Sequence, residues 1–311
     1  MDRKGVDLEK TYEADEAMFQ ARPIASRSDS GHVVPSVHVL WATPDPLGAI
    51  AAMCRMYEGK PTYNLADITD EEREHYWEQV NATHLKAPLE SVKMHFFIEG
   101  VTRSFTHQMV RQRTAVYAQE SMRFAVKEDM ASEAAMPPSI QAADEGMQDV
   151  WRDALKRIQK SYDILIEMGV PGEDARGLLP HATTTRLNYV TDLRALLEHA
   201  GNRLCTQAQF EWRAVFLGIM DALENYDPPI VVPHGDVTYD EIPVDALQTR
   251  WQWKHIVLSD VFKPVCFKLG HCPFTAVFDR QCTIRERVQT GRFNEIHPSE
   301  YLADPTAGRR D

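Results

Sequence analysis

The chain has too few cysteines and no long apolar run, and these absences exclude several classes of protein. Its 311 residues include only five cysteines, an odd number and too few for a disulfide scaffold. No stretch approaches the roughly 18 uninterrupted apolar residues of a membrane-spanning helix. The first residues, Met1–Lys4, lack the apolar core of a secretory signal. We therefore expect a cytoplasmic protein that does not bind membranes.

Positive charge is also scarce. The chain has 34 basic residues against 46 acidic ones, and its net charge of -12 disfavours nonspecific attraction to a nucleic-acid backbone. The hydrophobic fraction of 43% is enough to bury a substantial core. We predict one main domain at 37–228, preceded by a loosely ordered arm at 1–36 and followed by a C-terminal extension at 229–311.

Apolar periodicity divides the main domain into short strands and amphipathic helices. Strands are predicted at 37–41, 89–99 and 182–190, with Gly100 ending the second of them. Helices are predicted to start near Leu47 and Thr69 and to cover 101–112, 148–167, 173–179, 193–204 and 207–226. The segment 114–124 is predicted to be a loop and 125–146 an exposed linker or insertion. The final polar segment is expected to fray.

Arginines are concentrated in the best-patterned apolar segments. A guanidinium group stays charged and donates two parallel hydrogen bonds, which suits a nucleotide phosphate. The alternative is that each arginine pairs with a nearby acid, such as Glu120 or Glu198, and joins neighbouring helices. The clustering favours an anion site. The arginines concerned are Arg111, Arg113, Arg123, Arg176 and Arg203.

The spacing of two arginine motifs resembles a family signature. Arg111-Gln112-Arg113 ends a predicted helix, and Ser121-Met122-Arg123 follows after seven residues. Flavin-dependent thymidylate synthases carry Arg-His-Arg, seven residues and a serine, usually with an arginine two residues later. Five segments in the family's order are far more specific than a lone Arg-x-Arg. The four further segments that resemble the family are 42–46, 87–90, 174–180 and 193–209.

This resemblance implies an α+β fold in which helices pack around a mainly antiparallel sheet, and a homotetramer with active sites between subunits. It implies an FAD-dependent C5-methylation of a uridine monophosphate, either dUMP or UMP. Methylenetetrahydrofolate would donate the carbon, and NADPH would reduce the flavin. An activated cysteine is not needed, because the flavin carries both the reducing equivalents and the carbon.

The resemblance also implies roles for individual residues. Arg203 would stabilise negative charge on a pyrimidine carbonyl, and Ser121 would act as a hydrogen-bonding residue because the motif places no base beside it. The expected substrate-binding residues are Gln108, Arg111, Gln119, Glu120, Ser121, Arg123, Arg176 and Arg203. The expected flavin- or folate-binding residues are His84, Arg111, Gln112, Arg113, Asp192, Glu198 and Gln209. For His84, an ordinary loop residue is the alternative interpretation.

The sequence departs from the family pattern in the same region. The central histidine of the signature is replaced by Gln112, whose amide cannot become cationic. Other departures occur at Ser91, Gln119, Phe124 and Asp192. They leave open whether the substrate is dUMP, UMP or dCMP and whether the product is methylated or hydroxymethylated. A non-catalytic nucleotide-binding homologue is the third hypothesis.

Three of the cysteines lie close together near the C-terminus. Cys266, Cys272 and Cys282, with His271, offer ligand types that zinc accepts. Their spacing lacks the tight ligand pairs of common zinc sites, so packing thiols are the favoured interpretation. No metal is expected in the active site.

Overall fold

The computed structural model of the chain describes residues 35–125, 127–205, 208–226, 245–258 and 262–273. The predicted N-terminal arm, except for its last two residues, lies outside the described residues. So does the final segment that was expected to fray.

Four strands form one antiparallel sheet, which confirms the predicted α+β class. Their order across the sheet is β1-β2-β4-β3, and every neighbouring pair is antiparallel. The strands are β1 (Ser36–Ala42), β2 (Lys93–Thr102), β3 (Val116–Gln119) and β4 (Thr184–Asp192).

Helices flank this sheet, and several begin at a residue whose side chain accepts a backbone N–H bond. Asp45, Thr69, Thr102 and Asp192 are such caps, and each satisfies an N–H group that the first turn of its helix leaves free. The helices are α1 (Pro46–Tyr57), α2 (Asp70–Ala82), α3 (Arg103–Met109), α4 (Met130–Glu133), α5 (Pro138–Gln141), α6 (Glu145–Glu167), α7 (Gly172–Ala175), α8 (Leu193–Arg203), α9 (Phe210–Glu224), α10 (Asp245–Leu258) and α11 (Val265–Leu269). Short 3-10 turns occur at Leu65–Asp67, Ala87–Ser91 and Arg176–Leu178.

The two faces of the sheet have different environments. One face belongs to the main hydrophobic core, together with apolar side chains of α1, α8 and α9. On the other face, strand pairing aligns Trp41 with His95, Val190 and Val116. Here Trp41 is 43% exposed and Val116 is 67% exposed. We call the surface formed by Trp41, His95, Val116 and Val190 the open sheet face.

The predicted boundary between the second strand and the signature helix was wrong. Gly100 does not end β2, because its φ of 75° fits a β-bulge between Glu99 and Val101, after which pairing with β4 continues to Thr102. The helix therefore starts at Arg103. The segment predicted as a loop at 114–124 contains β3, a strand of four residues that pairs with β4.

The prediction that the segment 125–146 is an exposed linker or insertion was wrong. It contains α4 and α5, and Met130 is completely buried. Met130 packs with Leu155 and Tyr162 of α6 and with Ala175 of α7 in a second, smaller core. This core lies beside the loop that carries Ser121.

Helix α10 belongs to the main core although it lies in the predicted C-terminal extension. Trp253 is fully buried, and its Nε1 donates to the carbonyl of Thr43 at 3.1 Å. The Oε1 of Gln252 accepts from the backbone N–H of Leu47 at 2.9 Å, in the first turn of α1. None of the described helices is both long and apolar enough to cross a membrane.

Candidate active site

Helix α3 connects two groups of the predicted site residues. The helix has seven residues and is about 10 Å long at 1.5 Å per residue. Gln108 lies near its C-terminal end, and Arg111 and Gln112 follow in a hydrogen-bonded turn. Arg103 lies at its N-terminal end, next to the loop that contains Ser121.

At the C-terminal end, Gln108 and Arg203 meet at the indole of Trp212. The Nε1 of Trp212 donates to Gln108 Oε1 at 3.1 Å, and Gln108 Nε2 donates to Gln209 Oε1 at 2.5 Å. The guanidinium carbon of Arg203 lies 4.8 Å from the indole ring centre, in a cation–π contact. Arg203 Nε donates to His199 Nε2 at 3.4 Å. These contacts bring Gln108, Gln209 and Arg203 together, and we call these three residues the Arg203 group.

The electrostatic environment of this group suits an anion. Burial lowers the pKa of Arg203, and the nearby positive charge of Arg111 lowers it further. Burial, followed by the charge of Arg203, lowers the pKa of His199 to about 4, so His199 is neutral near pH 7. Within the described part of the chain, neither Arg111 nor Arg203 forms an ion pair with a carboxylate. An anionic ligand would relieve the repulsion between these two arginines.

At the N-terminal end of α3, three arginines surround the Ser121 loop. Arg103 donates from Nη2 to the carbonyl of Glu120 at 3.0 Å and from Nε to Met122 Sδ at 2.7 Å. Burial lowers the pKa of Arg103. The negative charge of Glu120 opposes this change, and the positive charge of Arg176 adds to it. Arg123 Nη2 lies 2.9 Å from Glu173 Oε2. The structure therefore places Arg103, Arg123 and Arg176 around one loop.

The Ser121 loop is anchored by a buried ammonium group. Lys127 is 2% exposed, and its Nζ lies 2.8 Å from Glu133 Oε2 and 3.6 Å from Glu120 Oε2. Glu120 Oε1 lies 3.4 Å from Arg186 Nε. The Glu120 carboxylate thus faces internal cations, although the resemblance implied that it binds substrate. Its internal partners are Lys127 and Arg186, not the clustered arginines.

Two further predicted residues make contacts inside the chain. Gln112 donates from Nε2 to the carbonyl of Ala195 at 3.1 Å, and its Oε1 accepts from the hydroxyls of Tyr189 at 2.9 Å and Tyr117 at 3.4 Å. Gln119 donates from Nε2 to Thr106 Oγ1 at 3.0 Å. Gln112 therefore joins β3, β4 and α8, although the resemblance implied contact with a cofactor.

The remaining predicted cofactor residues lie elsewhere on the surface of the chain. His84 is exposed in the loop after α2, and Arg113 is exposed after the α3 turn. Asp192 caps α8 and lies 3.2 Å from Lys93 Nζ, and Glu198 pairs with Arg194 at 3.0 Å. Within the described residues, none of these four makes a polar contact with the Arg203 group.

Sequence reasoning missed three residues that hold this site together. They are Arg103, Trp212 and Glu211. Glu211 is 2% exposed and joins the start of α9 to the start of α3. A helical periodicity marks Trp212 as buried, but no local signal identifies its polar partner 104 residues away.

The cysteine cluster can be assessed only in part, because Cys282 lies outside the described residues. Among the residues that are described, no group of three or more His, Cys, Asp or Glu side chains is arranged to hold a metal. His271 Nδ1 lies 2.9 Å from the carbonyl oxygen of Leu269.

Comparison with known proteins identifies relatives. The sequence profile of the Thy1 family, described as thymidylate synthase complementing protein, matches residues 38–229. A flavin-dependent thymidylate synthase of Sulfolobus acidocaldarius is 37% identical over 185 residues, which are 58% of this chain and 68% of that protein. The enzyme of that name from Saccharolobus solfataricus is 32% identical over 230 residues, which are 73% of this chain and 86% of that protein.

A solved structure has the same fold. It is the flavin-dependent thymidylate synthase ThyX of Helicobacter pylori in complex with FAD and dUMP. The TM-score is 0.51 at 20% sequence identity, and the match covers 60% of this chain and 93% of that chain. At this identity the likeness concerns the fold alone.

Proposed function

The chain belongs to the flavin-dependent thymidylate synthase family and is a methyltransferase of that type, and we propose that it methylates C5 of dUMP or UMP with FAD as its cofactor. The observation that carries this proposal is that Arg203 lies with Gln108 at the indole of Trp212, within range of the positive charge of Arg111, with no carboxylate paired to either arginine among the described residues. The relatives act on or bind such nucleotides according to their names.

Arg203 has the environment that a catalytic electrostatic group requires. Its guanidinium is fixed by the ring of Trp212 and by His199, so little reorganisation is needed when charge develops on a pyrimidine carbonyl. The three arginines around the Ser121 loop would hold the phosphate, with Ser121 as a hydrogen-bonding partner. In the overall reaction C5 gains a methyl group and loses a proton, and NADPH supplies the two electrons that reduce the methylene carbon of methylenetetrahydrofolate.

The chain offers donors that fit the FAD pyrophosphate. Arg111 and Arg113 are exposed on the turn after α3 and form no ion pair within the described part of the chain. Two such guanidinium groups match the charge and donor geometry of two linked phosphates. When bound, FAD supplies the redox chemistry that protein side chains lack. The chain would contribute orientation through Arg111 and Arg113, with Gln209 and Glu198 as further proposed contacts.

We also propose a homotetramer in which a second copy completes each active site. Two observations support this proposal. In the single chain, His84, Asp192 and Glu198 make no polar contact with the Arg203 group among the described residues, so cofactor residues from another copy would complete that group. In addition, the open sheet face leaves Trp41 and Val116 largely uncovered, as expected for a surface that another subunit buries.

Product analysis tests the proposed reaction. Purified protein is incubated with FAD, NADPH, methylenetetrahydrofolate and a mixture of UMP, dUMP, CMP and dCMP, and the products are identified by mass spectrometry. We expect only uridine nucleotides to gain a methyl group. A hydroxymethyl product, heavier than the methyl product by one oxygen or about 16 mass units, would instead support C5-hydroxymethylation.

A pair of variants tests whether Arg203 contributes to the reaction. Arg203→Ala should reduce kcat/KM by about 100-fold to 1,000-fold, because it removes a fixed charge from the transition state. Arg157→Ala is the matched control, since Arg157 is an exposed arginine of α6. Substantial activity of Arg203→Ala would refute the role of Arg203. A colourless protein that binds no added FAD and releases no tritium from C5-labelled nucleotides would support the non-catalytic alternative.

A further inference from the structure

A buried carboxylate lies at one end of a chain of side-chain hydrogen bonds that reaches the candidate active site. Glu211, in the first turn of α9, accepts from the backbone N–H of Thr102 at 2.7 Å and from its hydroxyl at 2.8 Å. It also accepts from the amide nitrogen of Gln209. Burial raises the pKa of Glu211, and its hydrogen bonds with Thr102 and Gln209 oppose that change. A carboxylate buried to this extent is costly unless such donors surround it.

The two ends of this chain of hydrogen bonds fix the direction of every bond between them. Gln209 turns its NH2 group toward Glu211 and its oxygen toward Gln108, which is the orientation that an ionised carboxylate requires because it only accepts. Gln108 then donates to Gln209 at 2.5 Å and turns its own oxygen toward Trp212. The indole Nε1 only donates, and it lies 3.1 Å from that oxygen.

Gln108 is therefore oriented by residues that lie behind it. After these bonds, its amide keeps one N–H and one lone pair for a ligand. This N–H and this lone pair lie next to Trp212, whose ring makes the cation–π contact with Arg203. If the amide of Gln108 were reversed, its NH2 group would face the N–H of Trp212 and its oxygen would face the oxygen of Gln209. The bonds to Gln209 and Trp212 could then not form.

We propose that Glu211 is a positioning residue that acts through Gln209 to fix the amide of Gln108 toward the bound nucleotide. This inference rests on the proposed function, because it requires that the site binds a uridine monophosphate. This role gives Glu211, which is 2% exposed, no contact of its own with the nucleotide or the flavin. Trp212 Nε1 fixes the other end of the same chain of hydrogen bonds.

A double-mutant cycle on nucleotide binding tests this role. The Kd for dUMP and UMP is measured by calorimetry on FAD-loaded wild type, Glu211→Gln, Gln108→Ala and the double variant. Gln108→Ala should weaken binding about tenfold, as expected for a lost hydrogen bond, and Glu211→Gln about threefold to tenfold because the amides can then reverse. The double variant should bind within about twofold of Gln108→Ala, because Glu211 then has no amide left to orient.

A general structural effect would give a different result. The positioning role would be overturned if Glu211→Gln weakened binding by the same factor in the wild-type and Gln108→Ala backgrounds. It would also be overturned if Glu211→Gln weakened binding in neither background. The role would be overturned as well if Gln108→Ala bound like wild type. Glu224→Gln is the matched control, since Glu224 is on the same helix and its partner in the described part of the chain is Lys254 at 3.5 Å, and it should bind nucleotide like wild type.

A second variant decides the case in which Glu211→Gln does not fold. Trp212→Phe keeps an aromatic ring beneath Arg203 but removes the N–H that holds Gln108. It should weaken binding in the wild-type background and have less than a twofold effect in the Gln108→Ala background; equal effects in both would overturn the inference. Wild-type protein that binds neither nucleotide would contradict the proposed function itself, which separates that failure from an uncoupled cycle in a protein that binds.

Discussion

At the scale of single residues, the position of Arg203 depends on its neutral neighbours. Trp212 provides an aromatic face, and His199 accepts from Arg203 Nε only while it is unprotonated. A charged His199 would repel Arg203 and lose this bond. The low pKa of His199 is therefore part of the arrangement of the site.

The same histidine predicts how stability depends on pH. The pKa of His199 is about 4 in the folded chain against an ordinary value of 6.5, so between these values the unfolded state binds more protons. The free energy of unfolding should therefore rise with pH across this window. Acidification through the window should lower it by at most about 3 kcal/mol. Chemical denaturation of wild type and His199→Asn at pH 4.5 and pH 7 measures this effect as the difference between the two proteins.

The comparison with His199→Asn cancels the contributions of other groups. Burial raises the pKa of Glu211, which acts in the opposite direction and is the same in both proteins. An equal loss of stability on acidification in both proteins would contradict the assignment to His199.

Gln112 leads to a prediction about stability. Tyr189 is 1% exposed, and its hydroxyl donates to Gln112 Oε1 at 2.9 Å. Gln112→Leu should lower the free energy of unfolding by about 1–3 kcal/mol, because it leaves the hydroxyl of Tyr189 and the carbonyl of Ala195 without this partner. Urea denaturation measures the change. In a Tyr189→Phe background the loss should be smaller, and an undiminished loss would show that the contact with Tyr189 is not its cause.

Sequence spacing could identify Arg111, Ser121 and Arg123 because a local motif carries them. It could not identify Tyr189 as a partner of Gln112, or Gln209 and Trp212 as partners of Gln108, because these residues follow 77 to 104 residues later in the chain. Whether a polar side chain faces a ligand or the interior depends on such distant contacts. The family signature therefore indicated candidate residues, but the orientation of individual side chains required the structure.

At the scale of elements, the same limit explains which predictions were wrong. Long amphipathic helices such as α6 and α9 were predicted because their own apolar spacing marks them. The strand β3 was missed because its four residues are held by pairing with β4, which no local pattern reveals. The helix α10 was missed because its burial depends on contacts with α1 and α9.

Lys127 joins the loop that carries Ser121 to α4, and its removal should be costly. Lys127→Met leaves the carboxylates of Glu120 and Glu133 buried without their shared cation, so we expect a loss of about 3–5 kcal/mol in the free energy of unfolding. Urea denaturation tests this expectation. The control Lys156→Met removes a lysine whose side chain is 70% exposed and should change stability by less than about 0.5 kcal/mol.

A compensating variant separates charge from packing at this position. Lys127→Met combined with Glu133→Leu removes both charges of the closer pair and should recover much of the lost stability. If the double variant were no more stable than Lys127→Met, the loss would come from packing and the buried ion pairs would not explain it.

At the scale of the whole molecule, the chain leaves an apolar surface uncovered where the proposed tetramer needs an interface. Trp41 and Val116 project from the open sheet face, and β2 and β4 lie between them. A charged residue placed in the middle of an interface must be desolvated without a partner, which is strongly unfavourable. The pair Trp41→Glu and Val116→Glu should therefore disrupt the assembly.

Light scattering coupled to size-exclusion chromatography tests this prediction. We expect a tetramer for wild type and a smaller species for the Trp41→Glu/Val116→Glu variant, with the far-ultraviolet circular dichroism of the folded chain retained. Val150→Glu is the control, since Val150 is 72% exposed on α6, outside the open sheet face. Because the proposed sites form between subunits, the smaller species should also lose turnover, and an active tetramer carrying both glutamates would exclude this face as the interface.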